Sequence, residues 1–138
     1  MSMPSSRNRI IAYQLYKYDI EGFLQWGYNF YYTQFSRNVI NPFYITDAGN
    51  AFPAGDAFSV YPGNDKAIES LRLKVFKEAI QDISAMRLLE KYMPKNEIIK
   101  MFENEAGMEI EFKKYPKGDE FILNTREKIN RLIKENIN

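Results

Sequence analysis

The chain has 138 residues, with 19 Lys and Arg against 18 Asp and Glu, and neither Cys nor His. That length holds one ordinary domain at most, and a formal net charge of +1 gives no electrostatic reason for a nucleic-acid or anionic-membrane partner. The two missing residue types exclude disulfides, thiolate or histidine metal sites, cysteine nucleophiles and histidine general bases. Chemistry falls to carboxylates, Lys, Tyr, Ser and Thr, and neither a metal nor a cofactor is expected. The apolar share of 45% supports a packed core, and 10 Tyr, 10 Phe and 1 Trp make aromatics the compositional outlier. No apolar run approaches the ~20 residues of a membrane span. Met1–Asn8 is polar and does not read as a signal peptide, so a cytoplasmic location is expected.

In chain order, Ser5 and Ser6 offer N-caps to a helix carrying Ile10, Ile11, Tyr13, Leu15, Tyr16 and Tyr18. This helix is apolar over more than one face and is expected to be buried on several sides, ending near Asp19–Gly22 with Gly22 as its stop. Phe23–Tyr32 reads as a strand covered on both faces. Leu24, Trp26, Tyr28 and Phe30 share one parity; Gln25 and Asn29 lie on the other, which should meet something polar. Thr33–Pro53 is punctuated by turn residues, yet Phe35, Phe43, Tyr44 and Phe52 argue for an ordered, packed loop. Ala57–Tyr61 reads as a second strand, followed by a loop at Pro62–Asp65.

The clearest element is a helix over Ile68–Tyr92, its stripe formed by Ile68, Leu71, Val75, Ala79, Ile83, Met86 and Leu89, and stopped by Pro94. Arg72 and Asp82 fall near the centre of that stripe, ~15 Å apart along the axis. They cannot pair with each other, so each needs a partner elsewhere. Asn96 is expected to cap a helix over Glu97–Ala106 that ends at Gly107. Met108–Tyr115 alternates as a half-exposed strand. Asp119 then caps a last helix bearing Ile122, Ile129, Leu132, Ile133 and Ile137.

Four pieces, taken in order and spacing, carry a family resemblance: Trp26, Tyr28 and Asn29 in the first strand; Ala54-Gly55-Asp56; Tyr61-Pro62-Gly63; and Arg72 with Asp82 on the long helix. From about Asn8 to Tyr92 the chain resembles the C-terminal part of domain-of-unknown-function family 4091, which is related to glycoside hydrolase family 123. The resemblance implies the last two βα units of a (β/α)8 barrel. Phe23–Tyr32 would be the seventh strand, Ala57–Tyr61 the eighth and Ile68–Tyr92 the last barrel helix. In the sugar-cleaving relatives an adjacent Asp-Glu pair performs substrate-assisted hydrolysis of N-acetylhexosaminides, from an earlier strand that would precede this chain. Ile83 stands where the family pattern usually has Tyr.

Trp26, Tyr28 and Asn29 have the chemistry of a sugar subsite, because aromatic faces pack on pyranose rings and an amide serves hydroxyls. Core packing is the competing explanation, and parity forbids all three pointing one way in a regular strand. Tyr61 and Arg72 lie toward the C-terminal end of the eighth strand, where barrel sites form. Arg72 there either grips a substrate group by its planar fork or braces the rim in an ion pair. Asp119-Glu120 is explained by helix capping, and Glu109 with Glu111 by a solvated face shared with Lys113. Asp47 and Asp56 read as turn residues.

The expected class is therefore α/β: a C-terminal barrel fragment over residues 1–94 with a small α/β extension over 95–138. The expected function is the C-terminal part of a glycoside hydrolase domain, contributing to carbohydrate binding through Trp26, Tyr28, Asn29, Tyr61 and Arg72, and inactive alone without the catalytic pair. A barrel fragment would also self-associate through exposed edges. An independent non-catalytic module for protein or carbohydrate binding is the alternative.

Overall fold

A computed structural model describes residues 5–137, so the first four residues of the polar Met1–Asn8 start lie outside it. The described chain divides into two compact units, unit 1 over residues 23–74 and unit 2 over residues 5–22 and 75–137. The fold is mixed and mainly helical, with one small antiparallel sheet of two strands among the described residues. This composition is compatible with the α/β expectation.

Unit 2 begins with α1 (Ser6–Arg9) and α2 (Ile11–Lys17), joined through Ile10, whose backbone is itself helical. The expectation of a helix buried on several sides holds, since Ala12, Tyr13, Gln14, Leu15 and Tyr16 are buried in succession. Its end differs from expectation. Asp19, at φ 53°, takes the left-handed position expected of Gly22. Ile20 N–H then donates to the Leu15 carbonyl at 2.9 Å and closes the helix end.

The long helix α3 (Leu71–Leu89) starts three residues later than expected. Ser70 is the reason: its hydroxyl oxygen accepts from Leu73 N–H at 3.2 Å, an N-cap bond. Ile68–Glu69 instead forms strand β2, paired antiparallel with β1 (Val60–Tyr61) in the register Val60 to Glu69 and Tyr61 to Ile68. The division between units falls inside α3, after Lys74. α4 (Lys95–Ala106) begins after Pro94 rather than at an Asn96 cap and ends at Gly107 as expected. α5 (Glu120–Ile137) follows Asp119 as expected.

The unit 2 core is one cluster drawn from α2 to α5. Tyr13 packs edge-on against Phe102 at 5.4 Å and tilted against Phe121 at 5.2 Å. Met86, Leu89, Ile98, Ile110, Ile122 and Ile129 fill the space around them. Asp82 sits fully buried in α3. Arg9 grips its carboxylate from α1, with Nε at 2.6 Å and Nη2 at 2.9 Å, and Arg126 from α5 donates through Nη1 at 2.6 Å. The partner that the sequence demands for Asp82 is thus two arginines.

Two expected strands do not form. Over Met108–Tyr115 the backbone is claimed by side chains instead. Gln14 donates to the Glu111 carbonyl, while Lys17 and Tyr18 donate to that of Ile110. Ile110 N–H is taken by a Glu103 carboxylate oxygen at 3.0 Å. Over Phe23–Tyr32 only isolated bridges remain, Asn29 with Phe58 and Tyr32 with Val39, both antiparallel. Gly27 breaks the strand at φ 80°, where a Cβ would meet Ala57 Cα at 2.7 Å. The Phe23–Tyr32 and Ala57–Tyr61 segments therefore lack the parallel ladder of successive barrel strands.

Asp82→Asn is expected to lower stability by about 3–5 kcal/mol, because it strands two guanidinium charges around a buried amide. Urea unfolding checks this; a loss under about 1 kcal/mol would mean that the triad is not desolvated as described.

Candidate functional site

All five residues singled out in the sequence lie in unit 1. Its core is small: Ile40, Ala48, Ala57 and Phe58 are buried, with Phe30, Tyr31, Ala51, Phe52 and Tyr61 packed against them. The expected order of the Thr33–Pro53 loop is present. Asn41 Oδ1 accepts from Phe43 N–H and Asp47 Oδ1 from Gly49 N–H, each at 3.0 Å. Such Asx turns fix a chain that has no ladder. Gly55 N–H closes the loop onto the Thr46 carbonyl at 2.7 Å.

The loop brings Phe52 to Trp26, with centroids 4.5 Å apart, and Phe30 supports the same indole at 5.0 Å. Trp26 nevertheless keeps 47% of its surface exposed, although two aromatic rings pack against it. Tyr28 is 54% exposed, and its backbone carbonyl accepts from both Ser59 and Val60 N–H. Asn29 is exposed and sits opposite Phe58 in its bridge. Gln25, on the parity expected to meet polar groups, donates to the Trp26 and Asp56 carbonyls.

Tyr61 and Arg72 are the one pair of the five that touch through side chains among the described residues. Arg72 Nη2 donates to the Tyr61 hydroxyl oxygen at 3.1 Å. Nε and Nη2 also both donate to the Phe58 carbonyl, Nε at 3.2 Å. The Arg72 partner is therefore a carbonyl and a phenol, not the carboxylate of an ion pair. Tyr61 makes tilted ring contacts with Phe43 at 5.3 Å and Phe58 at 5.8 Å.

Gly55 explains its place in the Ala54-Gly55-Asp56 run. At φ 82°, it lies under the guanidinium, and a Cβ there would stand 2.5 Å from Arg72 Nη1. Phe30, Phe52, Phe43 and Gly55 are the neighbours that sequence reasoning did not attach to the site. Phe43 and Phe52 were legible only as aromatics that order the loop.

The competing carboxylates are spent elsewhere. Lys17 Nζ donates to Glu103 at 2.7 Å and Glu109 at 2.9 Å. Burial works against the Lys17 charge, but these two carboxylates outweigh it and raise its pKa. The bond from Lys17 holds Glu109 below the usual carboxylate range. Asp119 and Glu120 are exposed at the start of α5. Among the described residues no group of acidic side chains is arranged to hold a metal ion, and no helix is long and apolar enough to cross a membrane.

The class the chain falls in is glycoside-hydrolase-like. The family model described as glycoside hydrolase 123, catalytic domain, matches residues 1–89, and the chain belongs to that family. No curated protein matches the chain. The match covers all of unit 1 and ends at the last residue of α3.

Gly55→Ala is expected to destabilise the chain by about 1–3 kcal/mol, through positive-φ strain and collision with Arg72. Gly118→Ala, which has open space for a methyl group, should change stability by under about 0.5 kcal/mol. Equal unfolding midpoints for the two variants would contradict the packing of Arg72 over Gly55.

Proposed function

We propose that the chain is the C-terminal part of a glycoside hydrolase domain, similar also to domain-of-unknown-function family 4091, and that its own contribution is to bind carbohydrate. The observation that carries this reading is the Trp26 indole, half exposed yet packed against Phe30 and Phe52, in a chain of this family. Apolar pyranose faces stack on such rings, while Tyr28, Asn29 and Tyr61, the last bonded by Arg72, carry the polar groups of the candidate site. The sugar class implied by the resemblance is an N-acetylhexosaminide.

In this reading residues 1–94 are the family portion, the last two βα units of a barrel, and residues 95–138 are an extension that packs into the core of unit 2. The antiparallel bridge of Asn29 with Phe58 weighs against the chain holding barrel register alone. Register would be imposed by neighbouring strands from the rest of the domain. Catalysis would come from an Asp-Glu pair outside this chain, since Asp119-Glu120 lies beyond the matched residues. The second reading, an independent interaction module, draws on other exposed side chains of unit 1: Leu24 at 88%, Tyr44 at 85% and Phe35 at 76%.

Trp26 is the single Trp, so its fluorescence reports on its own site. Titration with methyl β-glycosides of N-acetylgalactosamine and N-acetylglucosamine is expected to shift or quench that emission. Trp26→Ala, followed by calorimetry, should weaken binding at least about fivefold, as expected for a lost stacking partner. The isolated chain should not hydrolyse an aryl N-acetylhexosaminide above a buffer blank. Unchanged emission at saturating sugar, or equal affinity in the Ala variant, would refute the binding role of Trp26.

A further inference from the structure

We propose that Arg72 is a positioning residue whose task is to hold the Tyr61 hydroxyl as an aimed hydrogen-bond donor to a sugar oxygen, and that Arg72 does not itself touch the ligand. This rests on the carbohydrate reading above and assigns roles within it. The guanidinium is already committed on the protein side. Nε and Nη2 converge on the carbonyl of the fully buried Phe58, Nη2 reaches the Tyr61 oxygen at 3.1 Å, and Nη1 lies over Gly55.

A phenol has one proton to donate and lone pairs to accept with. Arg72 occupies the accepting side of Tyr61, and among the described residues no acceptor takes the Tyr61 proton. A charge-assisted donor on the oxygen polarises the O–H bond and makes it a stronger donor outward. Ring contacts with Phe43 and Phe58 limit where the phenol can swing. Tyr61 is thus an oriented donor without an acceptor, which suits a hydroxyl or carbonyl oxygen of a sugar. The fork geometry matters, since a lysine ammonium cannot serve the Phe58 carbonyl and the phenol in the same planar arrangement.

The test is a double-substitution cycle on the full chain, with methyl N-acetyl-β-galactosaminide titrated calorimetrically and thermal melts run in parallel. Tyr61→Phe should weaken binding about fivefold, the scale of one hydrogen bond. Arg72→Gln should weaken it no more than that, and the double variant should bind like Tyr61→Phe alone, because both changes remove one interaction. Arg72→Lys should fold and bind like Arg72→Gln, and it carries the same comparison if the Gln variant does not fold. Losses that multiply in the double variant would mean that Arg72 contacts the sugar directly. A lower melting temperature with unchanged affinity in both Arg72 variants would mean that it only braces the fold. Either result overturns the proposal while leaving the carbohydrate reading intact, whereas absence of binding by the unmodified chain overturns both.

Discussion

A single buried carboxylate ties three helices of unit 2 to one point. Asp82 is fully out of solvent on α3, and α1 and α5 reach it through Arg9 and Arg126. Burying a carboxylate costs several kcal/mol unless its lone pairs are filled by well-placed donors. Three short bonds fill them here, and that requirement fixes how three helices far apart in sequence must meet. Charge neutrality is not reached by Asp82 alone, since two guanidinium groups surround it; Glu78, 3.9 Å from Arg9, lies at the more open side. The Arg9 pKa is raised above its ordinary value, chiefly by the hydrogen bond to Asp82. The aromatic cluster of Tyr13 with Phe102 and Phe121 packs α2, α4 and α5 together.

Unit 1 is built on another principle. Its core clusters around four buried residues, and its sheet pairs two residues with two. Order comes from Asx turns, from Gly27 and Gly55 allowing close approach, and from an arginine that takes up a buried carbonyl. A small core with many exposed aromatics stabilises a fold weakly but leaves ring faces available to a ligand.

The helices were legible because their signals are local. The stripe through Ala79, Met86 and Leu89 predicts the buried face of α3, and the misplaced charge of Asp82 announces a partner before any partner is known. Ser70 was the missed signal: it is a capping residue directly before an apolar run, and it moves the helix start. The two missing strands have a common cause. Alternation and aromatic content describe side chains, but a strand also needs a neighbouring backbone. At Ile110 the neighbour is a set of side chains from α2 and α4, and at Gly27 the close approach of Ala57 bends the chain away. At the site, residue types could be read but not their grouping. The sequence pointed to Arg72 and Tyr61 separately, and only the fold brings them into one bond, with Gly55 beneath.

The most direct test of the carbohydrate account is a two-dimensional amide NMR titration of the whole chain with methyl N-acetyl-β-galactosaminide. The account predicts saturable shifts concentrated on the Trp26 indole N–H and on the amides of Phe30, Phe52 and Tyr61. No shifts at saturating sugar, or shifts confined to α3, α4 and α5 beyond Lys74, would contradict it.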